Sequence, residues 1–203
     1  MHRDDSSTES VPTRRAFVVA VGTVGTVALA GCLGDDEDHP EPIALDGDKE
    51  CDQCGMVIED YPGPTGQSFY EDDVPEGRDE MVDGEHGPAW FCSLPCLYTY
   101  DFDQEDFGHE PIVQYATDYS SVDWEVEEDG VGPEISAHLE AEAYADVTDL
   151  SFVVNSDIVG AMGEDLVGFS DADDADSFAD EYGGEVIGHG DVSRELIDGL
   201  GAV

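Results

Sequence analysis

Fifty-one aspartates and glutamates stand against six lysines and arginines in this chain, a formal charge of −45 on 203 residues. Any compact state must hold together against that self-repulsion, which molar salt weakens by shortening the Debye length to ~3 Å. With Lys49 as its single lysine, the chain has the composition of a protein that works in concentrated salt, as haloarchaeal proteins do. The same charge excludes whole classes of partner. It repels phosphate backbones, so no nucleic acid is expected, and it offers no basic patch for anionic lipid. Hydrophobic residues still make up 40% and aromatics 9%, enough to exclude wholesale disorder. The length suits one domain, or two small ones sharing a core.

The N-terminus reads as an address. Thr13-Arg14-Arg15-Ala16-Phe17 leads into an uncharged run from Ala16 to Gly34 that ends Leu29-Ala30-Gly31-Cys32. Paired arginines before an apolar stretch resemble a twin-arginine export signal. Small residues before a cysteine resemble a lipobox, where cleavage leaves Cys32 as a lipid-modified N-terminus. A retained membrane helix is the alternative, since 19 uncharged residues approach the ~20 needed to span a bilayer. Either reading places the rest of the chain outside the cell, attached to the membrane. Removal of residues 1–31 discards three acids (Asp4, Asp5, Glu9) and three arginines (Arg3, Arg14, Arg15), so the remainder keeps its charge of −45. Residues 32–50, with Asp35-Asp36-Glu37-Asp38 and two prolines, are expected to be an acidic, solvated tether.

From Cys51 onward the pattern predicts strands and helices in two rounds, an α+β architecture with two related lobes at 51–110 and 111–203. The first round has short strands near 56–60, 66–70 and 89–91. A helix follows from Ser93 to about Tyr100, with Ser93 as N-cap and Pro95 in its first turn. Residues 71–88 form a long excursion loop. The second round opens with a strand over Ile112–Tyr119, then an acidic loop (123–134) and a segment near 136–144. Ser151–Asn155 and Leu166–Phe169 are a strand pair around the turn Gly160-Ala161-Met162-Gly163. Asp171–Tyr182 is an amphipathic helix closed by Gly183-Gly184. A strand at Glu185–Gly188 and a helix at 191–199 end the chain.

The chemistry lies in cysteine and methionine. Cys51 and Cys54 form C-x2-C, Cys92 and Cys96 form C-x3-C, and 37 residues separate the pairs. In an exported protein these could be disulfides. Four thiolates also suit structural zinc, although the gap exceeds the usual ribbon spacing. A thiol–disulfide oxidoreductase would place C-x-x-C at a helix start, whereas Gly55-Met56-Val57-Ile58 has strand character. Met56, two residues beyond Cys54, favours a soft-metal site, since thiolate and thioether together select Cu(I). Met162 sits between glycines in a turn rather than on a core stripe. His86 and His109 lie in loops and could complete such a site; Met81, in an acidic loop, is less well placed.

Cys51-Asp52-Gln53-Cys54-Gly55-Met56-Val57-Ile58, followed by Gly63-Pro64-x-Gly66-Gln67, resembles the opening of the NosL family, lipoproteins that assist copper assembly of nitrous oxide reductase. Trp90-Phe91-Cys92-Ser93-Leu94-Pro95-Cys96-Leu97 is similar to the family's aromatic-then-cysteine segment, and Val113–Tyr119 to its central strand. Ala161-Met162-Gly163 through Gly168-Phe169, with the helix ending Gly183-Gly184, is similar to its Pro-Met-Gly region and closing unit. The resemblance spans roughly residues 51–188.

It implies two small ββα-type lobes of the NosL/MerB-like kind and a Cu(I)-binding metallochaperone. Carried over by position, the ligands it implies are Cys54, Met56 and Met162, then Cys51 and Cys96. The implied partners are the nitrous oxide reductase maturation machinery, a membrane transporter and its extracytoplasmic subunit, with the membrane itself reached through the lipid on Cys32. Two positions depart from the family: Ala161 replaces the usual proline, and Cys92 stands where an acidic residue is common. No Ser/His/Asp order, phosphate loop or glycosidase-like carboxylate pair rises above the acidic background, so the expected activity is delivery rather than catalysis. The reading from another class is a zinc- or disulfide-stapled structural subunit docking on a membrane complex.

Overall fold

The computed structural model describes residues 39–71, 86–128 and 132–200. The expected signal, residues 32–38 of the tether with Cys32, and residues 72–85 of the excursion loop with Met81 lie outside these residues. In chain order the strands are β1 (Gly66–Glu71), β2 (His86–Phe91), β3 (Val113–Thr117), β4 (Val126–Glu127), β5 (Glu134–Ile135) and β6 (Tyr144–Asp146). They continue with β7 (Ser151–Val154), β8 (Val159–Gly160), β9 (Gly163–Glu164), β10 (Val167–Phe169) and β11 (Glu185–Gly188). The helices are α1 (Leu94–Phe107), α2 (Ala172–Tyr182) and α3 (Arg194–Gly199).

The first sheet has the order β2-β1-β3-β6 and the second β10-β7-β11, all pairs antiparallel. In each, an antiparallel pair is followed by a helix and then by a third strand on the other side of the pair's first strand. The α+β class and the two related lobes are therefore present as ββα units, each closed by one more strand. The first sheet also takes in β3 and β6, so its pairing runs past residue 110. A third, smaller sheet, β4-β5-β8-β9, holds the turn at Ala161-Met162 between β8 and β9.

Packing explains the strand sequences. The first five residues of β1 are buried, and α1 lies so close over it that a Cβ on Gly66 would stand 2.5 Å from Leu97 Cδ1. Leu94 and Leu97 on α1 are fully buried against Phe91 and Ala116 in one core that also takes in Phe152 and Leu166. Side chains of this size each contribute about 1.5–3 kcal/mol when withdrawn from water. The second lobe has its own aromatic centre: Phe178 of α2 lies 5.1 Å from Phe169 and 5.6 Å from Trp124.

Several elements differ from the sequence-based expectation. Residues 56–60 are not a strand. Val57 makes one isolated bridge to Glu50, then Ile58–Asp60 turn as a 3-10 helix; this buries Ile58 while leaving Glu59 and Asp60 exposed. Helix α1 runs to Phe107, well past Tyr100, because Asp101 is a core residue rather than a stop. Its carboxylate accepts hydrogen bonds from Ser68 Oγ (2.6 Å), Tyr70 OH and Gln114 Nε2, and Gly108, left-handed at φ 89°, ends the helix. The segment near 136–144 is irregular until the 3-10 turn Ala141–Ala143, and the strand is β6 beyond it. Residues 39–50 are not a free tether. Leu45 is fully buried with its N–H on Leu139 O, Ile43 exchanges two hydrogen bonds with the Gln67 amide, and Tyr115 donates to Pro40 O. Apolar Ile43, Ala44 and Leu45 follow the acidic run, and burying them outweighs the entropy of a loose chain.

The expected cap Ser93 accepts from Cys96 N; α2 begins one residue later than expected, with Asp171 outside it as a cap that accepts from Asp173 N. Arg194 bridges from α3 to Asp103 and Asp106 of α1 at 3.1 and 2.9 Å. No helix among the described residues is long and apolar enough to cross a membrane.

Candidate metal centre

The C-x2-C pair sits on a tight turn. Gly55 takes a left-handed φ of 76° so that its N–H reaches Cys51 O at 2.8 Å, while Cys51 N donates to Met56 O at 2.8 Å. Asp52, between the cysteines, fastens this turn to β2: its N–H donates to Trp90 O (3.0 Å) and its carboxylate accepts from Trp90 N (2.8 Å). Two residues past Trp90, Cys92 leaves β2; Ser93 then caps α1 and Cys96 lies in its first turn. The long gap between the two pairs is thus folded back by the β1–β2 pairing and the Asp52 clamp.

The result is a four-sulfur cluster. The Sγ atoms of Cys51, Cys54, Cys92 and Cys96 all lie within 4.8 Å of one another, with Cys54 and Cys92 at 3.5 Å. All four are free thiols; Cys54 is exposed, and Cys51, Cys92 and Cys96 are buried. A tetrahedral ion with metal–sulfur bonds of ~2.3 Å has sulfur–sulfur edges of about 3.8 Å, so this donor set fits a thiophilic ion with little movement. Among the described residues this is the one group of three or more Cys, His, Asp or Glu so gathered.

Electrostatics favour one thiolate among the clustered thiols. Hydrogen bonds from the thiols of Cys92 and then Cys96 hold Cys51 far below the usual thiol range, overcoming its burial. The same bonds to Cys51, with burial, push Cys92 and Cys96 upward. A cation arriving here meets a charge already formed.

Of the sequence-predicted ligands, Cys51, Cys54 and Cys96 come together with Cys92. Met56 and Met162 are partly buried and pack against the core cluster that contains Cys51, Cys92 and Cys96. The turn bearing Met162 is held close to residue 63: a Cβ on Gly63 would lie 2.6 Å from Gly160 Cα. It is joined to α1 through Asp165, a fully buried carboxyl whose Oδ1 accepts from Leu94 N (3.1 Å) and Leu166 N (2.8 Å). Burial raises the Asp165 carboxyl well above the usual carboxylate range. His109 is exposed beyond the far end of α1, about 20 Å along the helix from Cys96 at 1.5 Å per residue, and is not brought to the cluster. The family resemblance leaves Cys92 out of the copper ligand set, whereas the four-thiolate reading includes it as C-x3-C with Cys96. Asp52 and Asp165 carried no signal, being two acids among many.

The NosL family model matches residues 42–197. The chain belongs to the NosL family. The copper-binding lipoprotein NosL of Stutzerimonas stutzeri is 29% identical over 185 residues, covering 88% of this chain and 83% of that protein. The crystal structure of the copper chaperone NosL from Shewanella denitrificans superposes with a TM-score of 0.59 at 27% identity, over 77% of this chain and 98% of that one. The mixed α+β architecture is thus the NosL fold. Both relatives carry names of copper-binding or copper-carrying proteins rather than of enzymes. Within that fold, this NosL chain offers four cysteine sulfurs that can hold a metal ion.

Proposed function

We propose that this chain is an extracytoplasmic, membrane-anchored Cu(I) metallochaperone that delivers copper for nitrous oxide reductase assembly. The observation that carries the reading is the four-thiol cluster, in a chain whose relatives are named for copper. Soft sulfur donors prefer Cu(I), and the cluster exposes only Cys54, through which an acceptor ligand can attach before the buried donors let go. Met56 and Met162 supply thioethers from a turn beside the cysteines and from a separate turn, so Cys51, Cys54, Cys96, Met56 and Met162 are assigned as ligands, with Cys92 added. Residues 1–31 act as a twin-arginine lipoprotein signal and lipid on Cys32 confines encounters to the membrane plane, raising effective concentration without new contacts. Copper is cargo here, and no step of catalysis is assigned to any residue.

The test is a deletion strain grown under copper limitation. Nitrous oxide reductase should be copper-deficient and should recover with the wild-type chain but not with Cys54→Ser. Full copper loading in the deletion strain would remove the delivery role. Zinc held tightly by the purified protein and resistant to Cu(I) would instead support a stapled structural subunit.

A further inference from the structure

The cluster contains more sulfur than one Cu(I) requires. Two or three thiolates complete a Cu(I) site, whereas four would leave three uncompensated negative charges among groups that are mostly buried, a costly arrangement. The four thiols are also unequal. Cys54 is the one open to solvent and its Sγ lies 3.5 Å from that of buried Cys92. A disulfide needs ~2.05 Å, so a closure of about 1.5 Å would join them. Cys54 rides on a turn that ends at left-handed Gly55 with nothing within 4 Å of a Cβ placed there, and Cys92 lies in the bend between β2 and α1. Both are in irregular backbone that can adjust.

We infer that the cluster reduces Cu(II) to Cu(I), with Cys54 and Cys92 as the electron-donating pair and Cys51 and Cys96 as the pair that keeps the product. An aqueous Cu(II) ion meets Cys54 first. Two Cu(II) ions each accept one electron, the Cys54–Cys92 sulfur–sulfur bond forms, and three thiol protons pass to water, two from that pair and one from Cys96 as it takes up the product. One Cu(I) stays on the thiolates of Cys51 and Cys96, leaving a single net negative charge, and the other leaves. The reaction is a single turnover until a dithiol reductant reopens the disulfide, which returns Cys54 and Cys92 to the ligand set proposed above. This rests on the Cu(I) role proposed above and adds to it a source of Cu(I) in surroundings where copper arrives oxidised.

The experiment uses the full chain with Cys32→Ser, so that the four cluster thiols are the ones counted, reduced and kept anaerobic in molar KCl. Two equivalents of Cu(II) are added, and its paramagnetic resonance signal, the free-thiol count and the disulfide by peptide mass spectrometry are followed. The signal should vanish, free thiols should fall from four to two, and the new bond should map to Cys54–Cys92. Cys92→Ser should slow the signal's loss at least tenfold more than Cys51→Ser does. A persistent Cu(II) signal, a disulfide mapped to Cys51–Cys96, or equal rates in the two variants would overturn the inference. Mapping in the unsubstituted cluster decides the matter even if a variant fails to fold. Cu(I) supplied directly to the same protein separates the two claims: tight Cu(I) binding without Cu(II) reduction sinks only this inference, and no Cu(I) binding sinks the chaperone reading.

Discussion

Gly63→Ala perturbs the contact that sets the Met162 turn beside residues 61–65. Two costs follow. Gly63 has φ 100°, and an L-residue held at positive φ costs roughly 1–2 kcal/mol. The added Cβ would also stand 2.6 Å from Gly160 Cα, a backbone atom that cannot swing aside, and overpacking of that kind costs about 1–3 kcal/mol. The expected loss is about 3 kcal/mol, a fall of roughly 6–12 °C in Tm for a chain of this size. Gly47→Ala is the control, since Gly47 has φ 80° and open space where its Cβ would go; it should show the conformational cost alone, about 1–2 kcal/mol. Chemical denaturation of both variants in molar KCl, with Cu(I) affinity measured alongside, separates the terms. Gly63→Ala should also weaken Cu(I) binding, because the Met162 turn must retreat, whereas Gly47→Ala should not. Equal destabilisation by the two substitutions would refute the close approach as the device that positions the turn.

Asp101 makes a second prediction, in pH. Burial raises its carboxyl to about 6, against the hydrogen bonds from Ser68, Tyr70 and Gln114 that oppose the shift. The folded state therefore holds the proton more tightly than the unfolded chain, and stability is lost as pH rises from near 4 through 6, by about 3 kcal/mol. Asp101→Asn lacks this dependence, so the stability difference between the two proteins should change by that amount between pH 4 and 7; parallel curves would contradict the raised carboxyl. The third prediction concerns salt: thermal stability should rise steeply from low salt to molar KCl, as screening relieves the −45 charge. Equal Tm values at both ends would oppose it.

Local signals in the sequence were dependable where a single residue type has one job. Ser93 as a cap, Gly183 after α2, and the β7–β10 pair around a Met-bearing turn all lie where their chemistry places them. What could not be read depended on distant partners. Nothing local distinguishes Asp101 from the other acids of the chain, but Ser68, Tyr70 and Gln114 turn it into a core residue and let α1 continue past Tyr100. Val57 and Ile58 have β-branched side chains, yet strand formation needs a partner strand, and Glu50 offers only one bridge. Ile43 and Leu45 follow an acidic run with nothing local to separate them from it, and their burial needs Gln67 and Leu139 from far along the chain. At the metal centre, the residue types and the C-x2-C-G-M spacing were legible. Four thiolates as one metal site are legible too, but the closeness of Cys92 to Cys54 is not, because it depends on Asp52 bonding Trp90, a contact that spacing alone does not encode.

In the proposed chaperone, sulfur supplied mainly by Cys51, Cys54, Cys92 and Cys96 holds Cu(I). Copper-edge X-ray absorption on reduced protein loaded anaerobically with one equivalent of Cu(I) tests it most directly. The account predicts Cu(I) surrounded by sulfur alone, and a shell that loses sulfur in Cys54→Ser. A first shell of nitrogen or oxygen, or a spectrum unchanged by substitution of the cluster cysteines, would contradict it.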